Sequence, residues 1–390
     1  MKIAELKDLV AKGVDAQQRS LAELSLKLHA NPELGFQETK AAGWLTEYLS
    51  QHGFSIEPAI CGLATAFRGS YGKGEPVVAV LAEYDALPEL GHACGHNLIA
   101  AIALGAAIAC KPVIDQLGGS VLVIGTPAEE IYGGKVIMAE RGAFGGVDVA
   151  MMVHPGTRDT ATTQALACQT LEVEFWGRAA HAAAHPEAGV NALEAMVQSF
   201  NALNSLRQHI RDRARIHGII TDGGEAANIV PAHSAANFIV RAEDNEYLNE
   251  LKERVLNCFT GAATATGARL EYRWSEVVYA AMRNNLTLAR LFKQNMESLG
   301  RQIKLTDPDC AFGSTDMGNV SQLVPSIHPE VAIAPRGVII HSPEFALAAA
   351  SEAGSRGLLD AAKALAMTVV DLVSSHEVMS KVKEEFESGK

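Results

Sequence analysis

Three short, almost wholly apolar stretches each end in side chains able to bind a metal or move a proton, and this recurrence constrains the fold more than any other feature. Pro76-Val77-Val78-Ala79-Val80-Leu81-Ala82 runs into Glu83-Tyr84-Asp85. Val121-Leu122-Val123-Ile124-Gly125-Thr126 runs into Pro127-Ala128-Glu129-Glu130, and the stretch from Val147 to Val153 runs into His154-Pro155. Apolar runs of this length without alternation predict strands buried on both faces. Helical stretches separate them, one of small apolar residues from Asn97 to Cys110 and one from about Gly134 to Glu140. Strands alternating with helices predict an α/β class fold with a mostly parallel sheet flanked by helices. Open sheets of this kind gather ligands at the carboxyl ends of their strands, where all three clusters fall.

The patterning differs on either side of this region. Ile3, Leu6, Val10 and Val14, then Leu21, Leu24 and Leu28, recur at helical spacing and stop at Asn31-Pro32, so one or two amphipathic helices open the chain. After about residue 168, Thr170-Leu171-Glu172-Val173-Glu174-Phe175-Trp176 alternates with period two, as a half-exposed antiparallel strand does. A helix at about 191–211, strands near 216–221 and 234–241, a helix near 245–260 and a strand near 268–274 complete a small α+β insertion. The parallel pattern resumes after about 280 and closes with a helix at about 346–374. The expected organisation is therefore a catalytic domain in two pieces, residues 1–168 and 280–390, interrupted by a smaller domain over 169–279.

The 390 residues exceed one ordinary core, and 48% of them are hydrophobic, enough to fill two. A net charge of −12 with no basic stripe disfavours nucleic acid and anionic lipid, leaving a small molecule as the expected partner. Cysteines at 61, 94, 110, 168, 258 and 310 follow no framework spacing, which fits reduced thiols. The first residues are charged and amphipathic, and no uninterrupted apolar run has spanning length, so the expectation is a soluble, cytoplasmic protein.

The densest group of candidate ligands is Gly91-His92-Ala93-Cys94-Gly95-His96-Asn97. Cys94 and His96 share one face of an extended segment, and Gly95 lets the backbone bend until both reach one ion. Thiolate and imidazole suit Zn²⁺ and its neighbours better than Ca²⁺ or Mg²⁺. A buried free cysteine beside a satisfied histidine is the ordinary explanation of such a pair, and His154 and His341 are as readily structural as ligating when each is taken alone. Glu129-Glu130 reads equally as a solvated pair near a helix start. On an extended backbone the two glutamates diverge, so one can bind metal while the other takes a proton from water. Cys94, His96, His154, His341 and one glutamate exceed the three protein ligands of a catalytic Zn²⁺, and two metals are the simpler account.

Taken together, these residues resemble the dinuclear metallopeptidase and amidohydrolase family of aminoacylase and carboxypeptidase G, on the side of the aminobenzoyl-glutamate hydrolases and β-alanyl-lysine dipeptidases. The likeness runs through Leu28 to Gly35, Tyr84 to Pro88, Gly91 to Asn97, Pro127 to Glu130, Asn228 to Pro231, Ser314 to Gly318 and His341 to Pro343. It implies two divalent ions per subunit, Zn²⁺ or Mn²⁺, held by Cys94, His96, Glu130, His154 and His341. It also implies that Glu129 is the general base and that Asp85 orients a ligand. Many family members carry a histidine two residues before that aspartate, where this chain has Glu83, so His96 is expected to supply the imidazole. The insertion is expected to be a ferredoxin-like lid and dimerisation domain. In it His181 would stabilise the oxyanion of the partner subunit's reaction, and Asn228 and Arg241 would hold a substrate carboxylate.

The resulting expectation is a homodimeric, metal-dependent amidohydrolase or dipeptidase acting on an N-acyl amino acid or small dipeptide. The alternatives are hydrolysis of an N-carbamoyl or ureido compound, and a metal-containing binding protein without activity. A dinucleotide-binding dehydrogenase is disfavoured, because no Gly-x-Gly-x-x-Gly follows the early strands.

Overall fold

A computed structural model describes residues 2–308 and 313–389. Cys310, among the thiols expected to be reduced, lies outside the described residues; Cys61, Cys94, Cys110, Cys168 and Cys258 are free. Strands Ser55–Pro58 (β1), Phe67–Lys73 (β2), Val77–Ala82 (β3), Gly119–Gly125 (β4), Val149–Met151 (β5) and His154–Gly156 (β6) come first. Ala167–Trp176 (β7), Arg215–Asp222 (β8), His233–Ala242 (β9) and Arg269–Trp274 (β10) follow, then Ser326–Ile327 (β11) and Glu330–Ala332 (β12). The chain divides into two units. The larger comprises Met1–Gln164, Met282–Ala311 and Asp316–Lys390; the smaller comprises Ala165–Ala281 and Phe312–Thr315.

In the larger unit one sheet has the order β1-β2-β4-β3-β5-β11. β4, β3, β5 and β11 are parallel, while β1 and β2 add an antiparallel edge that the apolar runs did not announce. β3 lies between two partners, and its alternate residues feed two different cores. Val78, Val80 and Ala82 pack with the helices His96–Ala109 and Glu352–Ser374, whereas Ala79 and Leu81 pack with Met138, Phe144 and Val320. This double burial is the physical origin of the unbroken apolar run. Every residue of His96–Ala109 is buried, which its alanines and glycine permit by letting neighbouring backbones approach closely. By length and composition the helical stretch His96–Leu117 could cross a membrane, a property missed when only unbroken apolar runs are counted. However, 89% of its most apolar window is buried inside the protein.

Several boundaries differ from the sequence reading; the helix expected at about 191–211, for instance, ends at Leu206. The expected strand ending in His154 is two strands. β5 stops at Met151, the chain steps aside, and His154 opens β6, which pairs with β12 in a separate parallel ladder. The helix expected to close the chain is also two, Pro343–Ala349 and Glu352–Ser374, with the Ser351 side chain capping the second by accepting the Gly354 N–H, and a further helix, His376–Ser388, follows them.

The smaller unit carries a four-stranded antiparallel sheet of order β10-β7-β9-β8. With helices Ala192–Leu206 and Asn245–Thr266 its element sequence is βαββαβ, the ferredoxin-like arrangement. Leu171, Val173 and Phe175 of β7 and Ala236, Phe238 and Val240 of β9 point into its core. Glu172 and Trp176 stay exposed, as the period-two pattern required.

Candidate metal centre

The cluster starts where β3 ends. Glu83 and Asp85 follow that strand and are each only 1% exposed. A few residues later Gly95 adopts φ 81° as the cap of helix His96–Ala109. A Cβ at this position would stand 2.5 Å from Pro155 Cγ, so both the turn and the close approach require glycine. Cys94 and His96 therefore converge through a left-handed residue, with His96 in the first turn of a helix, and not through the shared face of an extended segment.

At the end of β4, Ala128 (φ 60°, ψ 45°) turns left-handed and delivers one helical turn, Glu129–Tyr132. That conformation costs an L-residue roughly 1–2 kcal/mol. The two glutamates thus leave a helical turn and not the extended backbone expected for them. His154 comes from the start of β6. His341 (φ 69°) comes from the loop before Pro343–Ala349, and its N–H donates to the Ala93 carbonyl at 3.0 Å.

The structure brings these side chains together. Cys94 Sγ lies 3.4 Å from His154 Nε2 and 3.3 Å from His341 Nε2. Glu130 Oε1 lies 3.3 Å from His341 Nε2 and 3.7 Å from His96 Nε2. Three sets have their donor atoms within 4.8 Å of one another: Cys94, His96 and His154; Cys94, Glu130 and His341; and His96, Glu129 and Glu130. Two nitrogen or oxygen donors bound at about 2.0–2.1 Å to one tetrahedral ion stand about 3.4 Å apart, so the observed spacings are those of ligands sharing an ion. His96 Nε2, Glu130 Oε1 and Glu83 Oε2 are buried without a hydrogen-bond partner. A cation among them would satisfy atoms that otherwise forfeit about 1–3 kcal/mol each in desolvation. The residues present therefore fit divalent metal.

Around the donors, Asp85 holds two of them. Its Oδ1 is 3.0 Å from His96 Nδ1, and its Oδ2 accepts the Glu130 N–H at 3.0 Å. Such a contact leaves the opposite nitrogen of His96, Nε2, available to a cation. Behind them lies an ion-pair chain that the sequence reading did not foresee. Lys135 Nζ donates to Glu83 Oε1 at 2.5 Å and to Asp316 Oδ1 at 2.7 Å, and the lysine side chain has no exposed surface. The one advance sign was a lysine in the otherwise apolar turn Val136-Ile137-Met138. Glu83, whose task the resemblance left open, faces Lys135 with one oxygen and His96 Nε2 with the other at 3.4 Å. His328 was also missed; its buried ring stands 5.6 Å from that of His154.

Electrostatics separates the two adjacent glutamates. Burial raises the Glu129 carboxyl well above the usual range, and the negative charges of Glu83, Asp316 and Glu130 push the same way. Burial also opposes ionisation of Glu130, but His341 and His96 outweigh it and bring its pKa to about 2. The surroundings thus favour the protonated form of Glu129 and the anionic form of its neighbour Glu130. Burial pushes the Cys94 thiol up, which a bound cation would reverse.

The remaining candidates belong to the smaller unit. His181 and Asn228 are exposed and lie on adjoining backbone, His181 opposite Ile229 and the Ala182 N–H donating to the Asn228 carbonyl at 3.0 Å. His181 Nδ1 accepts the N–H groups of Ala183 and Ala184. Arg241, the next-to-last residue of β9 and opposite Cys168, donates from Nη1 to Ser314 Oγ at 2.7 Å.

Residues 169–264 match the peptidase dimerisation domain family. The chain is 37% identical to the Xaa-Arg dipeptidase of Mus musculus, over 98% of this chain and 92% of that protein. It is 32% identical to one of the p-aminobenzoyl-glutamate hydrolase subunits of Escherichia coli (strain K12), over 76% of this chain and 66% of that protein. A dinuclear metal-binding peptidase of the M20 family from Bacillus subtilis shares the fold, with a TM-score of 0.74 and 21% identity over 92% of this chain and 99% of that one.

Proposed function

The chain belongs to the M20 peptidase family, and on that premise we propose that it is a metal-dependent hydrolase of amide bonds in dipeptides or N-acyl amino acids. The observation that carries this reading is the placement of Cys94 Sγ 3.4 Å and 3.3 Å from the imidazoles of His154 and His341, with Glu129 and Glu130 at the same cluster. Cys94, His96, Glu130, His154 and His341 would hold two divalent ions per subunit, Zn²⁺ or Mn²⁺. When bound, these supply a nucleophile from water near neutral pH and a Lewis acid for the scissile carbonyl.

The chain's own residues do the rest. Glu129, whose buried carboxyl holds a proton more readily than an ordinary glutamate, takes a proton from the attacking water and returns it to the departing amine. Asp85 fixes the orientation of His96 and the backbone of Glu130, so two donors are aimed before substrate arrives. In the smaller unit we assign Arg241 and Asn228 to the substrate's free carboxylate, a task suited to guanidinium geometry, and His181 to the oxyanion of the partner subunit in a homodimer. The relatives' names put dipeptides ending in arginine, and p-aminobenzoyl-glutamate, at the head of the substrate panel. We place the reaction in the cytoplasm.

The test is amine release from Xaa-Arg dipeptides, p-aminobenzoyl-glutamate and N-acyl amino acids by protein loaded with Zn²⁺ or Mn²⁺, with a ureido acid included to detect ammonia. Metal-dependent release of an amino acid supports the reading. Ammonia from the ureido acid alone, or bound metal with no turnover of any amide, overturns it.

A further inference from the structure

Glu38 is completely buried and stands outside the donor cluster, yet both of its oxygens are engaged. Oε1 accepts the N–H of Ala128 at 2.8 Å and Oε2 accepts the Thr65 hydroxyl at 2.9 Å. Ala128 is the left-handed residue directly before Glu129. Its N–H donates into the Glu38 carboxyl, so this one acceptor helps define the dihedrals that launch the Glu129 side chain. Thr65 is anchored in turn, because its carbonyl accepts the Tyr84 hydroxyl at 2.6 Å, and Tyr84 sits between Glu83 and Asp85.

Further contacts grip the same loop. The Ala128 carbonyl accepts the Gly134 N–H at 3.0 Å. Gly35 comes so near that a Cβ on it would stand 2.9 Å from Ala128 Cβ, and Phe36 stacks on Tyr132 with ring centroids 5.3 Å apart. The segment from Gly35 to Glu38 thus clasps the turn that carries Glu129, with Glu38 as its polar member.

From this geometry we infer that Glu38 is a positioning residue for the hydrolysis proposed above: by accepting the Ala128 N–H it holds the left-handed turn that aims Glu129 at the donor cluster. The inference rests on the proposed reaction for its meaning but not for all of its test. The hold is geometric. Burial brings the Glu38 pKa up to about 7, and Oε1 accepts the same N–H whether or not the carboxyl carries a proton.

The experiment compares wild type, Glu38→Gln, Glu38→Ala and Glu38→Ala with Ala128→Gly. It reads kcat and KM on the best amide substrate, metal content, and hydrogen exchange at the Ala128 amide. Gln keeps an acceptor for Ala128 and an NH₂ for Thr65 Oγ1, so kcat is expected within about threefold of wild type, while misaiming Glu129 in Glu38→Ala lowers kcat roughly 10- to 100-fold. KM and metal content stay unchanged, and the amide at position 128 loses protection in both variants that carry Glu38→Ala but not in Glu38→Gln. Glycine enters the left-handed region without a steric penalty, so Ala128→Gly recovers part of kcat in the Glu38→Ala background.

Wild-type kcat in Glu38→Ala, a change confined to KM, or a Glu38→Gln variant as slow as Glu38→Ala overturns the inference. Should Glu38→Ala not fold, Thr65→Val takes its place. A smaller loss of kcat then supports the inference, and an unchanged kcat overturns it. If wild type hydrolyses no amide, the functional reading fails, and the exchange comparison alone decides whether Glu38 holds Ala128.

Discussion

Lys135 Nζ stands 2.5 Å from Glu83 Oε1 in a place where the lysine has no exposed surface and the glutamate almost none. Its second partner, Asp316, is equally buried at 2.7 Å. A lysine at such a position stays charged because the adjacent carboxylates outweigh the burial that opposes it. Lys135→Met leaves two carboxyl groups buried without their cation, which should destabilise the protein by roughly 3–5 kcal/mol. Urea unfolding measures this. Adding Glu83→Gln and Asp316→Asn should restore part of the loss, and a single variant within about 1 kcal/mol of wild type would show that the chain of charges is not structural.

Asp85 offers one oxygen to His96 Nδ1 and the other to the Glu130 N–H. In Asp85→Asn the carboxamide NH₂ must oppose one of these two donors, so His96 or Glu130 loses its fixed aim. Metal affinity should fall about 10- to 100-fold, as it does when other ligand-orienting carboxylates are lost. Competition with a chromophoric chelator reads the change, and an unaltered affinity would remove Asp85 from this role.

Glu129 and Glu130 should respond differently to the same substitution. Glu129→Gln keeps a neutral oxygen at its position and removes the proton acceptor, so bound metal is expected to persist while kcat drops about 10²- to 10⁴-fold. Glu130→Gln removes an anion from the donor set, so metal content itself should fall. Elemental analysis beside kinetics separates the two, and equal metal loss in both variants would contradict the division of labour.

Stability should depend on pH through Glu38. Burial raises its pKa from the usual 4.5 to about 7 in the folded state. Between these values the folded protein binds more protons than the unfolded chain, so this group's contribution is fully present below pH ~4.5 and is lost as pH rises through ~7. Glu38→Gln has no such titration. Its melting temperature relative to wild type should therefore climb between pH 4.5 and 7 and level off above, and a parallel pair of profiles would exclude the effect.

The sheet was legible because burial on both faces strips polar residues from β3 and β4, and the smaller unit because one-sided burial leaves alternation in β7. Glu129 and Glu130 were legible because they follow a strand end, and Cys94 and His96 because they stand two residues apart in one ligand-rich segment. What escaped the sequence depends on long-range partners. Lys135 reads as an ordinary surface lysine until Asp316, 181 residues later, is seen beside it. Glu38 reads as a helix-start acid until Ala128, 90 residues away, donates to it. His154 was identified as a candidate, but its strand was misdrawn, since a change of ladder within an apolar stretch leaves no trace in hydropathy.

The tie from the His341 N–H to the Ala93 carbonyl has a consequence for synthesis. Cys94 and His341 are 247 residues apart. While the ribosome is still making the stretch between them, the nascent polypeptide holds Cys94 without its His341 neighbour. On the proposed ligand set, no ion could be fully enclosed before His341 has been synthesised and has joined Cys94.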